Sequence, residues 1–307
     1  MPDPATSPLR VLLERDAAQA KKALDQPTFT RQDYAVLHAM ATAALDRLTT
    51  LGLDLPDGHR LGHCERIFRD LLALDADPGA DAIRPQEGEV YAAGLETGQL
   101  AQITEALTRP GCASWGPRLL GAIDPCADAQ ALQDLRFRLQ FIAMCLRAGV
   151  HVEPTSSELD AEAHFHKWRI GLACRRVEAP NLIQAAVSSA SARLARAKRP
   201  GLIVLEVSAI VWPERRILAV DSDLTAAREI HRRTDAFLVE QTDAIASMVD
   251  PSLVFGVLAV ATLPTLNVPT SHVAFSTSFR IASLVDEHDP RYDHLVAFAR
   301  KFESLGE

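Results

Sequence analysis

The chain has 307 residues, a formal net charge of −8 and 48% hydrophobic residues. That length holds one large domain or two ordinary ones around a substantial core, and the acidic balance excludes a protein that simply coats nucleic acid through a surplus of Lys and Arg. The acidity is uneven: residues 1–130 carry 12 Lys and Arg against 19 Asp and Glu, residues 131–307 carry 20 against 21. The longest apolar run, from Leu253, is broken by Gly256 and Pro264, short of the roughly 20 residues that a membrane-spanning helix needs. The N-terminus lacks the basic start and apolar core of a secretory signal, so the expected compartment is the cytoplasm, with no membrane partner. Five cysteines without a CxxC pair argue against a disulfide framework and a structural zinc site.

In chain order, residues 8–125 read as helical. Tyr34, Leu37, His38, Ala41, Ala44 and Leu48 fall near helical spacing, with Thr30 as cap and Gly52 as stop. Leu61, Cys64, Ile67, Leu71 and Leu72 define a second helix that ends near Asp77-Pro78-Gly79, and "EGEVYAAGLETGQLAQITEAL" a third. The Pro- and Gly-rich stretch from Thr108 to Asp128 marks the expected boundary between a helical region, 1–125, and an α/β domain, 130–307.

Beyond it the pattern changes. "DAQALQDLRFRLQFIAMCLRAG" is an amphipathic helix, "VHVE" a short strand, "AEAHFH" and "RIGLACRRV" a hairpin, "NLIQAAVSSASARLARAKR" a helix, and "LIVLEVSAIV" a buried strand. A long helix from Ser222 to Met248 follows, capped by Asp221 or Ser222, then strands at 253–262 and 271–278 and a last helix near 290–304. Strands separated by helices imply an α/β sandwich with a mixed sheet.

The order helix, strand, hairpin, helix, strand, together with "ELD" and "IGLACRRV", resembles the PD-(D/E)XK superfamily, the restriction-endonuclease-like fold. In that family an Asp at the start of one strand and an acidic-x-Lys triplet on the next hold magnesium and activate water, since two carboxylates must grip a hard cation beside the scissile phosphate. On this resemblance Asp160 matches the first acidic residue, but Ala173 stands at the second and Arg175 at the lysine, while Gln140 takes the place of a helix Glu. A lone carboxylate is a poor magnesium site, and an arginine can hold a phosphate but cannot serve as a base.

The resemblance therefore implies a catalytically degenerate nuclease-fold protein that binds nucleic acid or a protein partner without a cofactor, with Arg175 and Arg176 as surviving phosphate contacts. Two further readings stay open at this stage. One is an active Mg²⁺-dependent nuclease, in a phage-defence setting, with Asp160 and Glu178 as metal ligands, Arg175 assisting and Glu206 as a substitute carboxylate. The other is an immunity or interaction protein that uses the fold as a scaffold. Glu206 also reads as a buried partner of Arg175 or Arg169.

The remaining chemistry-bearing residues have plain readings beside sharper ones. His164 and His166 lie two apart in a strand and share a face, which suits a transition metal with Asp160 or a solvated hairpin tip. His59, His63 and Cys64 have spacing suitable for zinc or for ordinary helix packing. Basic residues gather at Arg193, Arg196, Lys198 and Arg199, and at Arg228, Arg232 and Arg233, as helix-end charges or phosphate contacts. Ser271 and His272 are adjacent in a strand and point apart, so they form no nucleophile and base pair. No P-loop, GxSxG elbow or HExxH motif occurs.

Overall fold

The computed structural model describes residues 31–77, 85, 87–109, 111–155, 159–165, 167–213, 218–270 and 272–303. Helices α1 (Arg31–Thr50), α2 (Arg60–Ala76) and α3 (Glu87–Leu107) form the first layer. The helical spacing has its physical cause in burial: Ala41, Ala44 and Leu48 have no exposed surface, and Leu37, Cys64, Ile67 and Phe68 pack into a satellite cluster under α2. Gly52 ends α1 at φ +69°, a conformation that glycine adopts without strain. The expected cap Thr30 lies outside the described residues. Between these helices Glu96, almost wholly buried, accepts from Arg60 at 2.7 and 2.9 Å and from Arg136. The two guanidiniums hold its carboxyl below the ordinary glutamate range against the opposing effect of burial.

The stretch expected as a boundary is packed. It holds a 3-10 turn, Ala113–Trp115, and the helix α4 (Gly116–Ile123), which accommodates Pro117 because the first turn needs no amide hydrogen there. Trp115, Leu119, Ala122 and Ile123 are buried in the same cluster as Phe141, Val152 and Phe298. One core thus runs from the helical layer into the sheet.

Asp128 opens α5 (Ala129–Arg147) by accepting from the amides of Gln130 and Ala131. There follow β1 (His151–Glu153), β2 (Ala161–Phe165), β3 (Trp168–Arg176), α6 (Ile183–Ala197), β4 (Gly201–Glu206), the single turn α7 (Ser208–Val211), β5 (Leu218–Val220), α8 (Asp223–Met248), β6 (Val254–Asn267), β7 (His272–Ser283) and α9 (Pro290–Glu303). The seven strands make one mixed sheet. β1, β2 and β3 pair antiparallel in turn, β3 pairs parallel with β4, and β4 parallel with β6. β7 runs antiparallel along the other edge of β6.

Two cores face opposite sides of the sheet. Ala161, Ala163, Ile170, Leu172 and Cys174 turn toward α5, α9 and the helical layer, whereas Ala173, Ile203 and Leu205 turn toward α6 and α8. The alternation follows from the two-residue period of a strand. β3 and β4 approach unusually closely: a Cβ on Gly201 would lie 2.0 Å from the Gly171 carbonyl oxygen, so only glycine fits.

Three details differ from the sequence expectation. "LIVLEVSAIV" is not one strand, because after Glu206 the Ser208 amide turns back onto the Glu206 carboxylate at 2.9 Å and Ser208–Val211 winds into a helical turn. β5, three residues long, carried too short a pattern to be seen. β6 and β7 outlast their apolar runs because they pair continuously from Gly256 opposite Ser283 to Asn267 opposite His272. No helix among the described residues is long and apolar enough to cross a membrane.

Candidate functional site

Asp160 sits at the entrance to β2, where its amide donates to the Leu172 carbonyl at 3.1 Å and fixes the residue beside β3. Its side chain is 4% exposed and points to the face shared by Ala173 and Arg175. Every contact its carboxylate makes is with a donor. The Cys174 amide donates to Oδ2 at 2.8 Å, and Arg193 from α6 donates bidentately at 2.8 and 3.0 Å. Arg138 from α5 stands 3.4 Å from Oδ1 and Arg175 from β3 stands 3.9 Å from Oδ2. A fourth guanidinium closes the group: Arg118 from α4 donates to the backbone carbonyls of Asp160 at 2.6 Å and Thr155 at 2.8 Å, and lies over the Trp115 ring at 5.2 Å.

Among the described residues four guanidiniums thus gather about one carboxylate. Burial holds Arg118 and Arg175 below the ordinary arginine range; repulsion from Arg193 and Arg138 adds to it, and Asp160 is the carboxylate that opposes it. All four stay charged at neutral pH, since arginine retains its proton far above it. Arg175 is further positioned by donating to Ser189 Oγ at 3.0 Å. Arg138, 33% exposed, is the most open of the three that reach the carboxylate, against 18% for Arg175 and 15% for Arg193.

The next residue along β3 belongs to a different arrangement. Arg176 is gripped by Glu178 at 2.9 Å and approached by Glu206 at 3.4 Å. Burial raises the Glu206 carboxyl above the ordinary range and Glu178 adds to the rise, while the Ser208 contacts and Arg176 oppose it. Asp160 and Glu178, which the active-nuclease reading puts on one ion, each hold arginine, and Arg176, expected as a phosphate contact, is paired with carboxylates. Glu206 is a structural partner, as one reading had it, but of Arg176 in place of Arg175 or Arg169.

The other candidates resolve in the same manner. His164 lies among carboxylates, 3.4 Å from Glu153 and 3.8 Å from Glu162, edge-on to His151; His166 is outside the described residues. Arg199 and Arg169 attend Glu162 at 3.1 and 3.6 Å. His59 caps α2 by accepting from the Gly62 amide at 2.9 Å, His63 stands 3.6 Å from Glu89, and burial pushes the Cys64 thiol up to about 12. Arg232 and Arg233 both pair with Glu229, and Arg233 covers the Trp212 ring. Ser271 is outside the described residues and His272 begins β7. Among the described residues no group of three or more His, Cys, Asp or Glu is arranged to hold a metal ion.

Sequence reasoning missed Arg118 and Arg138. Gln140 is buried in α5, and the α5 side chain that reaches Asp160 comes from two residues earlier. The "RFR" of α5 carried a signal: Arg136 and Arg138 both flank an otherwise apolar stretch, and buried arginines need partners. Arg118 had none, since nothing local connects a residue in a Pro-Gly stretch with one 42 positions later. The chain matches no family model, no curated protein and no solved structure.

Proposed function

We propose that this chain is a cytoplasmic, catalytically degenerate nuclease-fold protein of the PD-(D/E)XK type that acts by binding nucleic acid. The observation that carries the reading is the four-arginine group around Asp160. Asp160 and Arg175 stand at the positions that the resemblance assigns to a metal carboxylate and to the lysine. The ground a second carboxylate and a cation would occupy is filled by guanidiniums, which bind phosphate oxygens through paired hydrogen bonds. The connectivity of α5, the β1–β3 meander, α6 and parallel β4 supports the same reading.

The test is binding and cleavage of single- and double-stranded DNA and RNA by the full chain, with Mg²⁺ or Mn²⁺ and with chelator. The expected result is binding without cleavage, weakening with salt at a log–log slope of about −2 to −4 for three or four neutralised phosphates. Metal-dependent cleavage that Asp160→Ala abolishes would overturn it in favour of the active nuclease. Absence of binding to any nucleic acid, with a protein retained, would favour the interaction reading.

A further inference from the structure

Open space lies on another part of the chain, where α3 ends, the 3-10 turn follows and β1 runs past. A cavity of about 450 Å³ there is lined by residues of these three segments and of the end of α5. That volume is within the range of roughly 300–1,000 Å³ in which proteins hold compact ligands. Gly111 lines it at φ +90°, and a Cβ built there would meet nothing within 4 Å. The lining is divided by chemistry. Ala106, Leu146, Val152 and Pro154 give it an apolar floor, Arg109 and Ser114 come from the side of the turn, and His151 and Glu153 from β1. We infer that this cavity binds a small zwitterion, of the class of a free amino acid or a dipeptide, with its carboxylate on Arg109, its ammonium on Glu153 and an apolar side chain on the floor.

Both charged ends are ionised at neutral pH. Arginine keeps its proton far above that range. The Arg109 guanidinium pairs with Glu105 at 3.5 Å across one helical turn, with both side chains half exposed; such a pair contributes little and yields to a better-placed carboxylate. Arg109 also acts on the Cys112 thiol, which puts the cationic end of the cavity at the turn. At the β1 end His151 donates to one Glu153 oxygen at 3.1 Å, and His164 stands 3.4 Å from the other. The two imidazoles, His151 first, hold the Glu153 carboxyl below the ordinary glutamate range. A carboxylate has about four lone-pair sites, so two imidazoles leave acceptors for an ammonium. A wholly anionic ligand would oppose Glu153 and a wholly cationic one Arg109, whereas a zwitterion complements both.

The experiment is calorimetric titration of the full chain with leucine, with N-acetyl-leucine, which lacks the ammonium, and with leucinamide, which lacks the carboxylate. The dipeptide Leu-Leu separates a free amino acid from a short peptide as the source. Leucine or Leu-Leu is expected to bind about tenfold tighter than either blocked compound, the size of one charge-assisted contact. Arg109→Gln is expected to erase the advantage over leucinamide and keep that over N-acetyl-leucine, and Glu153→Gln the reverse. Thermal melting checks that both variants fold, and the ligand series on the unaltered chain decides the matter if either does not. No binding, equal binding of all four compounds, or tighter binding of a blocked one would overturn the inference, and none of these outcomes bears on the arginines at Asp160.

Discussion

Two ion clusters flank adjacent residues of β3 and are inverted copies of each other in charge. On one side Asp160 is surrounded by four arginines; on the other Arg176 is shared by Glu178 and Glu206. The difference lies in what each cluster can do about its imbalance. A surplus carboxylate can take up a proton, and Glu206 is already displaced toward doing so. A surplus guanidinium cannot release one, so the Asp160 cluster must keep its counter-ion or acquire another from outside. The Arg176 cluster is self-correcting with pH, and the Asp160 cluster depends on a counter-ion at every pH.

The largest test of that contrast is Asp160→Asn, which keeps the shape and removes the carboxylate charge that Arg138, Arg175 and Arg193 approach. Breaking a buried pair by removing one partner costs about 3–5 kcal/mol, to be read as a lowered midpoint in urea. Phosphate or sulfate is expected to restore part of the loss, and indifference to both anions would break the comparison. Arg176→Met should cost less, about 1–3 kcal/mol at pH 8, and its cost should shrink toward pH 5. The sign follows from the raised Glu206 carboxyl: a group whose pKa is raised on folding contributes most below its unfolded value, and that contribution is lost as pH rises through the folded one. A pH-independent deficit would show that Glu206 does not relieve the strain. Smallest is Ser189→Ala, which frees one Arg175 nitrogen at the exposed edge of α6. Its effect on stability is expected within about 1 kcal/mol, with phosphate affinity unchanged or higher.

The fold was readable where pattern and burial coincide. α8 was framed by its Ser222 cap, and the β2–β3 hairpin by alternation around Ala161, Ala163, Ile170 and Leu172. Readability ended where tertiary contacts decide. Three-residue β5 exists only as an extension of the parallel edge of β6, and the turn at Ser208 depends on a hydroxyl that accepts from the Thr262 amide 54 residues away. In the site, Asp160 and Arg175 were legible as a motif and Arg193 as one of a basic cluster. Which arginine meets which carboxylate was not, because neighbours such as Arg175 and Arg176 leave opposite faces of one strand, and sequence proximity hides the separation.

Arg118 has a consequence for how the molecule can be divided. It belongs to the helical part, yet its two hydrogen bonds end on the carbonyls of Thr155 and Asp160, at the approach to β2. Helix α4 is therefore a wall of the Asp160 site and not an appendage to it. A truncated chain beginning at α5 would lose one guanidinium and the brace on the backbone of its key aspartate, and would report on a site the intact protein does not have.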